Sequence, residues 1–140
     1  MRTNTALTLY NKYYNSTTKK EMYQRWVISK VMWENRKARN ILASGGNTAA
    51  DQAMIYIPFS TNLTTFLGPI AWLALADKTS NLTLQRGDLL VKGEIAQEVD
   101  DVTFTPTDLK AAYDDVLEIS SIDTYDMGSY ALRSWAIGAK

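Results

Sequence analysis

The residues whose types and spacing come closest to chemistry are carboxylates: Asp100 beside Asp101, Asp114 beside Asp115, and Asp88 in an Arg86-Gly87-Asp88 run. Adjacent residues on a strand or helix point apart, and no Asn, hydroxyl or Gly spacing completes a calcium loop. The paired acids therefore read as a solvated rim. A hydrolase built on Asp88, Glu94 or Asp115 with Tyr113 is a remote alternative. The chain holds no cysteine and no histidine. That removes thiolate nucleophiles, cysteine-held metals and the side chain that most often moves protons near neutral pH. The expectation is a protein that is not an enzyme, with no metal and no cofactor, and Arg86-Gly87-Asp88 reads as a strand-joining turn.

The elements that would position these residues are mainly β. At 140 residues, with 46% hydrophobic and 21% charged residues, the chain fits one folded domain, 1–140. A strand and loop are expected over 1–20. A first hairpin is expected over 21–58, pairing Met22–Trp33 with Met54–Ile57 across the Ser44-Gly45-Gly46-Asn47-Thr48 loop. Residues 59–78 read as an inserted loop and a short helix from Pro69 to Ala76, with proline in its first turn. Residues 81–140 alternate apolar and polar residues between glycine turns, as strands lining a barrel or sandwich core. A second short helix, 107–113, interrupts them, with Thr107 as its candidate N-cap. Val116–Ile122 and Ala131–Ile137 close the chain as a hairpin in which Gly128 supplies the positive φ of the turn and Trp135 faces the core.

Net charge is zero but unevenly placed. Residues 1–40 carry nine basic groups against two acidic, a net of +7, and the remaining hundred carry −7. Either the two parts pack as neighbours, or copies of the chain attract each other head to tail, basic edge to acidic edge, and close a ring. Specific nucleic-acid binding is not expected, because the basic residues are spread along a strand with no recognition motif. No apolar run reaches the roughly 18 residues that span a bilayer, and residues 1–5 lack a secretion signal, so no membrane role is expected.

Several short stretches together resemble a known group of proteins. They are Tyr10-Asn11-Lys12-Tyr13-Tyr14, Trp33-Glu34, Ile55-Tyr56-Ile57-Pro58, Leu82-Thr83-Leu84 with Gly87-Asp88 and Val91-Lys92-Gly93, and Gly128-Ser129 with Leu132, Trp135 and Ile137-Gly138. Their order is similar to that of small structural proteins from the head and neck gene cluster of tailed phages. It resembles most the head-closure, or stopper, proteins of the head-to-tail connector. Ser134 departs from the pattern, where a histidine often precedes the tryptophan. The resemblance implies a small SH3-like β-barrel with long inserted loops and one or two short helices. It further implies a virion neck protein, made in the host cytoplasm, forming a ring, twelvefold in such proteins. That ring would join portal and adaptor to the tail-completion proteins and retain packaged DNA, which passes without specific binding. A minor capsid or tail-completion protein is the nearest alternative.

Two loops are the candidate contacts with copies or partners: 59–68, with Phe59, Leu63, Phe66 and Leu67, and 123–130, with Tyr125, Met127 and Tyr130. The first could instead pack back on its own domain. Glu94, Glu98, Asp100 and Asp101 are candidate lining for a DNA channel, where like charge would let DNA slide.

Overall fold

The computed structural model describes residues 3–41, 47–59, 66–129 and 132–140. Six strands and two short helices follow one another: β1 (Thr5–Asn15), β2 (Lys20–Ile41), β3 (Asn47–Pro58), α1 (Pro69–Leu73), β4 (Leu89–Lys92), α2 (Pro106–Ala112), β5 (Val116–Tyr125) and β6 (Ser134–Ala139). All strand pairs are antiparallel. The neighbour order β1-β2-β3-β6-β5-β4 closes on itself, because β4 also lies against β1.

This corrects the expected fold class. The chain is mostly β-sheet, but it does not form the small SH3-like barrel of short strands. The ladders fall into two sheets: β1 with β2, β4 and the start of β5, and β3 with the end of β2, the rest of β5 and β6. β2 and β5 cross from one sheet to the other, and β2 alone runs for 22 residues. Alternation reports which face a residue takes, and says nothing about how many neighbours a strand has or where it changes sheet.

The first hairpin is likewise redistributed. Residues 20–31 of β2 pair with β1, joined by a turn in which the Asn15 carboxamide oxygen accepts from the Thr17 and Thr18 N–H groups. Only from Met32 onward does β2 pair with β3. Leu82–Leu84 is not a strand of β4 either, since Leu82 makes one isolated bridge, to Phe66. β5 and β6 do pair as the closing hairpin, with Gly128 at φ 83 in their connection.

Two cores result. Leu7, Leu9, Ile28, Val31, Ile55, Ile57, Leu90, Trp135 and Ile137 fill the interior between the sheets. Outside β1 and β4 a second cluster forms from Tyr10, Leu89, Val91, Val99 and Leu109, with Ile95, Phe104 and Tyr113 against it. β1 thus buries both faces, Leu7 and Leu9 inward, Tyr10 outward. The cover over that outer face is the 94–113 segment. It is pinned by the Tyr10 hydroxyl donating to the Gln97 carbonyl at 2.6 Å and by Thr8, whose hydroxyl donates to the Gly93 carbonyl and accepts from the Ile95 N–H. Helix α2 begins earlier than expected. Its N-cap is Thr105, not Thr107, in a reciprocal capping box with Asp108, and Pro106 takes the first turn, where no N–H is needed.

Candidate functional site

The carboxylates of the remote hydrolase alternative are held apart in kind. Asp88 is 1% exposed, while Glu94 and Asp115 face solvent. Asp88 belongs to an interior polar island. Its carboxylate accepts from the Asn11 side-chain amide at 2.8 Å, the Lys12 N–H at 3.0 Å and the Gln85 side-chain amide at 3.1 Å. Asn11 also donates to the Thr83 carbonyl and accepts from the Thr83 N–H, so it ties β1 to the segment entering β4 as a further strand would. Burial pushes the Asp88 carboxyl up to about 7, against the three donors that favour its charged form. The Thr83 hydroxyl beside this island is buried without a partner among the described residues. The network staples two segments together. Among the described residues no group of three or more acids is placed to hold a metal.

A cavity of about 530 Å³ opens between the β1–β2 turn and the chain after α1, lined by Tyr13, Asn15, Thr17, Gln24, Asp77, Lys78 and Thr79. Its charged groups, Asp77 and Lys78, are already engaged. The Lys78 ammonium donates to the Leu75 carbonyl at 2.6 Å and sits 4.9 Å from the Tyr13 ring centre. The Asp77 carboxylate accepts from Thr79, which holds it below the usual carboxylate range. Trp72, at the back, is fully buried and donates to the Asn81 carbonyl.

Of the expected contact loops, the first is corrected at two positions. Phe59 and Phe66 lie tilted against Trp135, with ring centres 4.3 and 4.5 Å away; Phe59 is buried in the interior core and Phe66 is half-buried against it, so both serve the fold of their own domain. Apolar side chains of this size are worth more inside than exposed on a loop. Leu67 is half-buried and donates its N–H to the Leu82 carbonyl. Leu63 and Tyr130 lie outside the described residues. In the second loop Tyr125 and Met127 stand exposed at 52% and 84%. The acids proposed for a channel divide. Glu98 pairs with Arg25 at 3.1 Å, and Asp100 caps its own turn by accepting from the N–H groups of Val102, Thr103 and Phe104. Those bonds lower the Asp100 pKa. Glu94 and Asp101 are exposed.

What the sequence reading missed is a projecting ribbon. β2 and β3 stay paired from Met32↔Tyr56 out to Ile41↔Asn47. β1 leaves β2 at Val31, and β6 leaves β3 at Ala53. Residues 36–41 and 47–52 therefore pair with each other alone among the described strands. The run Glu34-Asn35-Arg36-Lys37-Ala38-Arg39-Asn40 shows no apolar alternation, and the glycine turn at Gly45-Gly46 was its one signal.

Residues 2–140 match the model of a family of unknown function, DUF6751. The chain belongs to that family. No curated protein and no solved structure matches it. For a DUF6751 member, then, the arrangement itself has to carry the functional reading: a packed body, a ribbon at one end, and an exposed Tyr125–Met127 turn at the other.

Proposed function

We propose that this chain is a structural subunit of the head-to-tail interface of a tailed phage, a head-closure ring component that links portal and adaptor to the tail. The observation that carries the reading is the two-stranded ribbon. A hairpin with both edges open is marginal by itself and is a template for another chain, so a protein that retains one has a partner for it. The motif order from Tyr10 through Gly138 supports the phage assignment, and the split charge supports copies that meet head to tail. In such a ring the exposed Glu94 and Asp101 would repel passing DNA rather than hold it.

The test is genetic and biochemical together. Removing the gene from a phage that encodes this protein is expected to leave filled heads that lose DNA and free tails that do not attach. The purified chain is expected to bind isolated portal–adaptor complexes. Normal particles from the deletion, with no binding to those complexes, would overturn the assignment.

A further inference from the structure

The inner face of β1 changes character along the strand. Leu7 and Leu9 belong to the interior core, whereas Asn11, Tyr13 and Asn15, next on the same face, each carry a polar group. On β2 the register sets Gln24 opposite Asn11. The apolar interior therefore ends near Asn11. Beyond it the chain around α1 packs against β1, with Trp72 edge-on to Tyr13 at 5.6 Å between ring centres. The cavity of about 530 Å³ is the space left between them. Small-molecule sites fall in the range of roughly 300–1,000 Å³, so the volume suits a ligand larger than a few waters.

What the wall still offers decides the ligand. Lys78 is engaged by the Leu75 carbonyl and lies 4.9 and 5.6 Å from the ring centres of Tyr13 and Trp72, so its charge is not held open for an anion. Asp77, its neighbour, accepts from both the N–H and the hydroxyl of Thr79. The two charges oppose each other, and the cavity favours neither sign. Leu73 and Ala76 are the aliphatic part of the wall, too little for a lipid chain. The rest is neutral and polar. Among the described residues the Gln24 carboxamide and the hydroxyls of Tyr13, Ser16 and Thr17 have no hydrogen-bond partner, and the Asn15 carboxamide accepts from its own turn but donates to nothing. Carboxamides and hydroxyls both donate and accept. An uncharged ligand with closely spaced hydroxyls on a carbon frame meets all of these groups at once.

We propose that this cavity binds a neutral saccharide, with Gln24, Asn15 and the Tyr13 hydroxyl bonding its hydroxyl groups and Leu73 and Ala76 against its carbon frame. None of these residues belongs to the ribbon or to the Tyr125–Met127 turn, so the site stands apart from the ring reading.

The experiment titrates the isotope-labelled full chain with glucose, galactose, N-acetylglucosamine and short oligomers of each, and with dextran sulfate as a charged comparison, while amide resonances are followed by NMR. The neutral oligomers are expected to shift residues 13–17, 24 and 73–79 at millimolar concentration, equally at low and high salt. Gln24→Ala removes a carboxamide with no internal partner. It is expected to leave the urea midpoint unchanged and to weaken binding about tenfold. Ala76→Trp, at an exposed position, fills the cavity and is expected to abolish the shifts. No shift with any neutral sugar, shifts that fall elsewhere on the protein, or wild-type binding in both variants would overturn the site. So would a response to dextran sulfate alone that salt removes, since the cavity would then be an anion site.

Discussion

Residues 20–31 of β2 lie beside β1 and contribute Ile28 and Val31 to the interior, whereas residues 36–41 of the same strand have β3 alone beside them. One strand thus serves two regimes. In the first, burial on the order of 25 cal/mol per Å² of apolar area offsets the entropy of ordering the chain. In the second no third strand among the described residues shares that cost. The body is ordered by its own packing, and on the ring reading the ribbon would be ordered by a neighbouring copy. The comparison separates what the chain does alone from what that reading asks of its copies.

The sharpest way to break the body's side of this comparison is Trp135→Ala. Trp135 is 3% exposed and holds Phe59 and Phe66 against the interior. Its loss is expected to cost about 3–5 kcal/mol in urea unfolding, enough to unfold a marginal domain. A cost under about 1 kcal/mol would mean that Phe59 and Phe66 do not pack on Trp135.

Next in size is the pH dependence of Asp88. Its folded pKa, about 7, lies above the value near 4 of an unfolded aspartate. The folded form therefore binds the extra proton, and its contribution is complete below about pH 4 and is lost as pH rises to about 7. Between those limits wild-type stability is expected to fall relative to Asp88→Asn by as much as about 1.4 kcal/mol per pH unit. Asp77 and Asp100 shift the opposite way but are present in both proteins and cancel. Urea midpoints at pH 4, 5.5 and 7.5 measure this, and parallel curves would show that Asp88 is charged throughout.

These residues also show how far sequence reasoning reaches. The Gly128 turn, the β5–β6 hairpin and the proline-started helix α1 were legible because their signals are local: a required positive φ, alternation, a missing N–H. Asp88 was read as a turn residue because its principal partner, Asn11, is 77 positions away. Ile95, Val99 and Phe104 cover β1 from a loop, with no period to betray them. The SH3-like barrel failed for a related reason, since sheet membership depends on distant partners and not on the pattern within a strand.

A smaller effect is expected at Thr83. Its hydroxyl is buried without a partner while its backbone serves Asn11. Thr83→Val keeps the shape and removes the unmet group, so stability is expected to rise by about 1 kcal/mol. A loss of that size would mean that the hydroxyl finds a hydrogen-bond partner in the folded protein.

The smallest expected change in stability comes from removing the ribbon, and it tests the comparison most directly. Replacing residues 37–51 by Asn-Gly leaves Arg36 opposite Gln52, the pairing a two-residue turn requires. Trp33, Ala53 and Ile55, which belong to the interior, are untouched. If the body stands alone, the shortened chain should unfold within about 0.5 kcal/mol of wild type, the range for changes away from buried features. Its self-association should nevertheless vanish in sedimentation. A drop of more than about 2 kcal/mol would place the ribbon inside the cooperative unit, and the distinction between a region ordered by its own core and one ordered by a partner would fail.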